Sequence, residues 1–380
     1  VRTITSYHEF VELEPIWGSL TDEAKIDHPF LSHEVVRTAW ECFGRDNTLR
    51  IMLVRDDAGP LAIAPLMLGR ERIMGLRLRR LGFIYNVALE RLDFIVARRH
   101  AQAYAALWEQ IRSIRSSWDV LILPQLPADS RTLFELPRRA AADGFLTGFW
   151  RSSDAAFVAA KGGWEAFLQG LDSRHRHNIR RRLRRLCREH EVHLDQLSPG
   201  DDLDAALREG LRLEAAAWKG AAGTAIASRP DALAFYTTLA RRCARRGWLR
   251  LRFLRVDGRR VAFSFALCYR NNVYSLKGGY DPEHAMHSPF TLLSFMVLKD
   301  ALERGAARYE FLGPADPWKL AWTRRSRPHC WFFAFAPALR TRCIHRLKFR
   351  WLPGLRKARA TAPLRRLLLG WISARRKAGR

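Results

Sequence analysis

Several ordinary structural devices are missing or scarce in this chain of 380 residues. The six cysteines (42, 187, 243, 268, 330 and 343) are scattered and form no Cys-x-x-Cys pair, which argues against a disulfide scaffold and a structural zinc site. No uncharged apolar run approaches the roughly 20 residues that a membrane-spanning helix needs. Val1 to Glu14 carries acids and no apolar core, so no secretory leader is expected, and reducing cytoplasm is the expected compartment. Lysine is scarce, with 9 against 56 arginines. What is abundant is apolar material, 48% of the residues with 11% aromatic, enough for a true core and too much for wholesale disorder. The length suits two domains.

The formal charge is +27, but two segments create it. Ala338 to Arg380 holds 14 Lys/Arg and no acid, and Arg174 to Arg188 holds 8 Arg in 15 residues, again with no acid. The other 322 residues carry a net of only +5. The arginine bias also fits a composition-wide preference and a solvated face. The C-terminal segment mixes its bases with Trp351, Leu352, Leu355, Leu364, Leu367 to Leu369, Trp371 and Ile372, a pattern suited to an interfacial amphipathic helix, broken at Pro353 and Pro363. Anionic lipid or nucleic acid phosphate are the partners such charge would meet.

Two stretches share a pattern. Leu49 to Leu68 and Leu249 to Tyr269 each read as strand, turn and strand, with Asp57-Ala58-Gly59 and Asp257-Gly258 at the turns. Each is followed by further strand, a helix (about 101–116 and 289–304) and a short strand (118–123 and 308–312). The reading is a duplicated α/β unit with a mixed α+β sheet, divided into 1–150, 151–337 and a basic helical tail 338–380. Between the units lies a helix pair: Trp164, Phe167, Leu168 and Leu171 form one apolar stripe, and Ile179, Leu183 and Leu186 another, with Asp172 or Ser173 as cap.

The chemistry concentrates in Val273 to Gly313. Val273 to Tyr280 reads as a strand, Asp281 to His287 as a loop, and Ser288-Pro289 as the cap and first residue of a helix that Gly305 ends. Unpaired amides at such a helix start favour an anion.

These residues carry a resemblance. Glu214-x-x-x-Trp218-Lys219-Gly220, the hairpin, Tyr274-x-x-Lys277-x-x-Tyr280-Asp281, Ser288-Pro289, Phe311-Leu312-Gly313 and Lys319-x-x-Trp322 together resemble GNAT-fold acyltransferases. They look most like the CelD-type subgroup of cellulose and polysaccharide biosynthesis and are similar to the Fem-type peptidyltransferases, which are tandem GNAT-like units. Ser173-Arg174 with Ile179-Arg180-Arg181 looks like the arginine-rich helix preceding the second unit in that subgroup. The likeness covers about residues 30 to 335, specific in the second half and thin in the first. It implies two parallel strands that splay apart, with acyl-CoA (acetyl-CoA) between them and no metal. Two departures stand out: Phe290 follows Ser-Pro where glycine is usual, and the Gln/Arg-x-x-Gly-x-Gly/Ala phosphate loop is absent.

Carried over, the resemblance implies that Lys277, Gly278, His287, Ser288, Phe290 and Thr291 hold the donor, with the diphosphate cradle at His287 to Thr291. Trp218, Lys219, Lys319 and Trp322 would border the acceptor. Asp281 or Glu214 would act as base, directly or through water, and Tyr280 would protonate the leaving thiolate. Each residue has a plainer role. Asp281 suits a turn before Pro282, Glu214 a surface ion pair, Lys219 and Lys277 solvated charge, and Tyr280 and Trp322 packing. His284 and His287 form an His-x-x-His without a third ligand. The expected function is transfer of an acyl group from CoA to an amine or hydroxyl of a sugar, polysaccharide precursor or amino compound. The alternatives are a Fem-type transferase using aminoacyl-tRNA gripped by Arg174 to Arg188, and a non-catalytic basic adaptor. The tail would make the protein peripheral at the inner face of a membrane.

Overall fold

A computed structural model describes residues 1–86, 88–198, 200–216, 223 and 225–351. In chain order the first unit comprises β1 (Arg2–Ile4), α1 (Tyr7–Glu12), α2 (Glu14–Glu23), α3 (His33–Phe43), β2 (Thr48–Asp56), β3 (Gly59–Ile73), β4 (Leu76–Phe83), β5 (Ile95–Val96), α4 (His100–Ser113), β6 (Val120–Pro127), α5 (Thr132–Ala142) and β7 (Leu146–Arg151). Then come β8 (Ala155–Ala159), α6 (Gly163–Gly170), α7 (Ser173–Glu189), β9 (Val192–Gln196), α8 (Leu203–Ala216), α9 (Pro230–Arg245), β10 (Leu249–Val256), β11 (Arg259–Tyr269), β12 (Asn272–Tyr280), α10 (Pro289–Glu303), β13 (Arg308–Glu310), α11 (Pro317–Leu320), β14 (Ser326–Arg327), β15 (His329–Phe335) and α12 (Leu339–Arg346).

The strands form two mixed sheets. The first runs β1-β2-β3-β4-β6-β15-β7, with β5 on β3, and the second runs β14-β8-β13-β12-β11-β10-β9. Both expected hairpins form, because Asp56 to Gly59 and Asp257-Gly258 supply left-handed or turn-prone residues between apolar strands: Gly59 has φ 119° and Asp257 φ 48°. In each unit the hairpin's second strand pairs with a third strand, which then pairs in parallel with a fourth, β4 with β6 and β12 with β13. The parallel pairs are bridged by α4 and α10, the crossover that parallel strands require.

One segment of the expected 151–337 unit belongs to the first sheet instead. β15 returns to the first sheet and lies between β6 and β7, pairing Phe333 with Ile122 and with Gly148. Alternating Trp331, Phe333 and Phe335 point to one face and the buried Phe332 to the other, so the strand fills the gap between β6 and β7 on both sides of the sheet. The expected tail likewise starts as structure: α12 lies on this sheet, with Ile344 buried, His345 Nε2 2.8 Å from Thr147 O and the Phe349 ring against Gly148. Residues 352–380 fall outside the described residues.

The core also ignores the division. Leu207, Leu211, Phe235 and Leu239 of α8 and α9 join the same apolar cluster as Phe10, Trp17 and Val36 of the first unit. Arg242 of α9 bonds Thr38 Oγ1 at 2.8 Å and Glu41 Oε1 at 2.7 Å across the junction. A shared core of this kind holds the units in fixed relation. The second sheet's opposite face is covered by α6, α7 and α10, whose Trp164, Leu168, Ile179, Leu186 and Leu298 form a separate cluster. Asp172 caps α7, its carboxylate accepting from His175 N at 2.9 Å.

Candidate active site

The site begins where a parallel pair gives out. β12 and β13 pair only at Asn272–Arg308, Val273–Tyr309 and Tyr274–Glu310. β12 then continues to Tyr280 while the other chain turns away through Phe311 to Gly313, with Leu312 at φ 55°. On the other side of β12, Phe265 faces Lys277 and Ala266 faces Ser275, so Leu276 is an extra residue that bends the strand. The divergence leaves a cleft of about 490 Å³ lined by Ser275 to Tyr280, Phe311 to Gly313, Glu214, Phe290 and Lys319.

Two glycines let helices close on this strand. A Cβ on Gly279 would lie 2.5 Å from Glu214 Cα and 2.7 Å from Leu213 O, and one on Gly278 would lie 2.3 Å from the Phe290 ring. α8 therefore packs directly on β12 and carries Glu214 into the cleft. The residue is 2% exposed, so its plainer role as a surface ion pair is overturned. Its Oε2 accepts from Ile226 N at 2.9 Å, which fixes the carboxylate's direction. Lys277 Nζ lies 5.5 Å from the Tyr236 ring centroid, and Tyr280 lines the cleft beside them.

The first unit supplies a residue that local motifs did not indicate. Glu90 lines the same cleft, and its Oε1 accepts from Gly313 N at 2.5 Å while its buried Oε2 has no hydrogen-bond partner among the described residues. Burial pushes its pKa up. The signal was absent from sequence because residues 90 and 313 meet only through the tertiary fold.

Other expected residues fall elsewhere. Asp281 does not line this cleft. Its Oδ1 accepts from Glu283 N at 3.1 Å, capping a 3-10 turn over Pro282–His287, and it borders a separate polar cavity with Arg212 and Arg259. An extended chain sends successive side chains to opposite sides, and Tyr280 already points to the cleft. Lys319 is spent on the backbone: Nζ donates to Leu312 O at 2.6 Å and Pro314 O at 2.7 Å and lies 3.4 Å from Asp316. It positions the Phe311–Gly313 wall, and burial lowers its pKa. Trp322 is buried in the second core, its ring 5.0 Å from that of His175, and takes the packing role. Trp218 and Lys219 lie outside the described residues.

The expected diphosphate cradle is altered. Ser288 starts α10, but at φ 53° and without a side-chain cap. Its Oγ instead accepts from Arg182 Nη1 of α7 at 2.9 Å. Thr291 N and Leu292 N both return to Ser288 O, Ser288 N bonds Ala285 O, and Asp281 N bonds Val261 O. Within the expected cradle the Ser288 and Thr291 amides are therefore already engaged, the first by the 3-10 turn and the second by the first turn of α10. Phe290 turns into the cleft, where its ring meets Trp318 at 5.6 Å. His287 faces α7 rather than the cleft: its ring is 5.5 Å from His190, and its pKa is lowered by desolvation and then by His190 and Arg185. Cationic side chains of α7 thus stand where backbone donors were expected.

Behind the cleft, a buried polar seam joins the units. Glu310 is 1% exposed, with Arg327 Nη2 at 3.4 Å and Arg91 Nη1 at 3.9 Å, and Arg91 Nη2 meets Asp27 Oδ1 at 2.7 Å. His28 and His329 are buried beside the arginines. Desolvation pushes His28 well down and His329 to about 4. Among the described residues no group of three or more His, Cys, Asp or Glu could hold a metal ion, and no helix is long and apolar enough to cross a membrane.

With this geometry in place, comparison with known proteins gives three findings. Residues 173–320 match the family described as an acetyltransferase (GNAT) domain. The crystal structure of FemX superposes with a TM-score of 0.61 at 12% identity, over 91% of this chain and 100% of that one. A domain described as the C-terminal part of a lysylphosphatidylglycerol synthetase from Agrobacterium fabrum gives 0.54 at 13% identity, over 90% and 96% of the two chains. No curated protein matches the chain. At these identities the structural likeness speaks for fold. The chain has tandem GNAT-like units in a GNAT/Fem-like fold, and the match to the acetyltransferase (GNAT) domain family falls within its second unit.

Proposed function

We propose that the protein transfers an acyl group from a phosphate-bearing carrier, acyl-CoA, to an amine or hydroxyl held in the cleft between β12 and β13. The supporting observation is the buried Glu214 carboxylate, fixed by Ile226 N and aimed at the strand divergence. Glu214 takes the proton of the acceptor, the freed nucleophile attacks the thioester carbon, and the C–S bond breaks as the new C–N or C–O bond forms. The thiolate leaves with a proton from Tyr280, which lines the same cleft. Backbone N–H groups of the unpaired edge of β12 would polarise the carbonyl. Because the Ser288 and Thr291 amides are engaged, the donor's phosphates would rest on the cationic side of α7, near Arg182 and Arg185. The resemblance to the CelD-type subgroup favours a sugar, polysaccharide precursor or amino compound as acceptor, and the aromatic wall of Tyr236, Phe290 and Trp318 suits a ring.

A second reading has its own observation. Arg174, Arg180 and Arg181 have no ion-pair partner among the described residues, and a free arginine face with engaged amides also suits aminoacyl-tRNA as donor. A thermal-shift series with acetyl-CoA, a longer acyl-CoA and charged tRNA tests both. Stabilisation by acyl-CoA supports the first. Stabilisation by tRNA alone, steeply weakened by salt, replaces it with the second.

A further inference from the structure

The first sheet has a covered face whose cover is itself unusual. α12 and the π-helical turn that follows (Leu347–Trp351) lie across Ile73, Leu78, Val120, Ile122, Phe333 and Phe335. Their inner side is fixed by Ile344, by His345 on Thr147 O, and by Lys348, whose Nζ stands 4.5 Å from the Phe333 ring and 5.3 Å from the Trp150 ring. Their outer side carries Arg342, Arg346 and Arg350, all exposed and, among the described residues, without an ion-pair partner. Leu339 is 82% exposed and Trp351 65% exposed on the same segment. Beside it stands the tip of the β3–β4 hairpin, joined by Arg340 Nη2 to Arg77 O at 2.5 Å, with Leu76 also exposed at 45%.

The hairpin carries further charge on its other side. Its register sets Arg70 opposite Arg79 and Arg72 opposite Arg77. Like charges directly opposite in a sheet destabilise it. Only Arg79 has an acid, Asp119 at 2.9 Å; Arg70, Arg72 and Arg77 have none among the described residues. They alternate with Ile73 and Leu78, which α12 covers, so these four arginines lie on the hairpin's other side and take no part in the face that carries α12. From Trp351 the sequence runs on for 29 residues with nine Lys/Arg, no acid and a Leu-Leu-Leu-Gly-Trp-Ile run. The chain therefore leaves the described structure from a face that is already basic and studded with exposed Leu and Trp.

We propose that this face, formed by α12, the turn to Trp351 and the β3–β4 tip, docks on an anionic phospholipid bilayer. Leu76, Leu339 and Trp351 enter the headgroup region, and Arg342, Arg346 and Arg350 meet lipid phosphates. Exposed apolar side chains ringed by arginine favour a bilayer over a nucleic acid, which would need no leucine. The lipid contact lies on the first sheet, away from the cleft of the second, so it does not depend on which acyl donor is used.

The test is flotation of the full chain with vesicles of phosphatidylcholine alone and of phosphatidylcholine with about one part in three phosphatidylglycerol. The wild type should float with the anionic vesicles only, and less as salt rises. Arg342→Glu/Arg346→Glu/Arg350→Glu should lower the partition coefficient at least about a hundredfold, since each base contributes roughly a fivefold term near a charged surface. Leu339→Asp/Trp351→Asp, at two positions that are mostly exposed, serves if the first variant misfolds by near-UV circular dichroism, and should lower it roughly tenfold. Wild-type partitioning by a folded variant, equal flotation on both vesicles, or binding to duplex RNA with no flotation would each overturn the proposal.

Discussion

The two units repeat one plan and differ at the same corner. In the second, β12 and β13 diverge and leave a cleft. In the first, β4 and β6 pair over Arg80–Val120, Leu81–Leu121 and Gly82–Ile122, and the equivalent opening is filled. The segment after β4 folds into it: Leu92 N donates to Gln125 O at 3.1 Å, β5 pairs with β3, and Leu89, Leu92 and Phe94 are buried. The crossover helix differs too. Both helices start on a left-handed residue with no side-chain cap, Arg99 for α4 and Ser288 for α10, but the start of α10 abuts Arg182 of α7. One corner is plugged and the other is an open cleft. The plug then serves the site, because its Ala88 and Glu90 form part of the open cleft's wall.

This contrast can be broken at either corner. The largest effect expected is for Glu214→Gln, which removes a base without changing its size: turnover in an acyl-transfer assay should fall by about 10²–10⁴ while donor binding, read by thermal shift, persists. Unchanged turnover would remove Glu214 from the chemistry. Leu92→Ala empties the plug and should cost about 3 kcal/mol by urea denaturation. Phe290→Ala, in the open corner, should cost less and widen the cleft; a larger loss than for Leu92→Ala would mean the second corner is packed core as well. Lys319→Met orphans the carbonyls of Leu312 and Pro314 and should cost about 2 kcal/mol while weakening donor binding.

The last effect, confined to acid pH, concerns the seam between the units. His329, with a folded pKa depressed to about 4 from an ordinary 6.5, contributes stability that is present above pH 6.5 and lost as pH falls toward 4. His329→Asn should flatten that acid limb by on the order of 2 kcal/mol. An unaltered pH profile would assign the acid sensitivity to His28 or to the carboxylates.

The duplication was legible because its signals are local. Asp57-Ala58-Gly59 and Asp257-Gly258 mark turns, Ser288-Pro289 marks a helix start, and the Ile179-Leu183-Leu186 stripe marks the buried side of α7. Glu214 was also legible, though its burial was not, since nothing near residue 214 announces that Gly279 will admit the helix to van der Waals contact. What escaped sequence reading is non-local. Glu90 reaches Gly313 across the molecule, Asp281 turns away because of a 3-10 turn, and the Ser288 hydroxyl is taken by an arginine 106 residues earlier.

β15 has a consequence for how the protein is made. It inserts between β6 and β7, so a nascent chain that has released every first-unit residue still exposes two bare strand edges. Those edges can be closed only after roughly 180 more residues have emerged, and until then they are templates for pairing with other chains. Synthesis of this protein should therefore place an unusually long demand on holding chaperones, relieved at one stroke when the segment His-Cys-Trp-Phe-Phe-Ala-Phe leaves the ribosome.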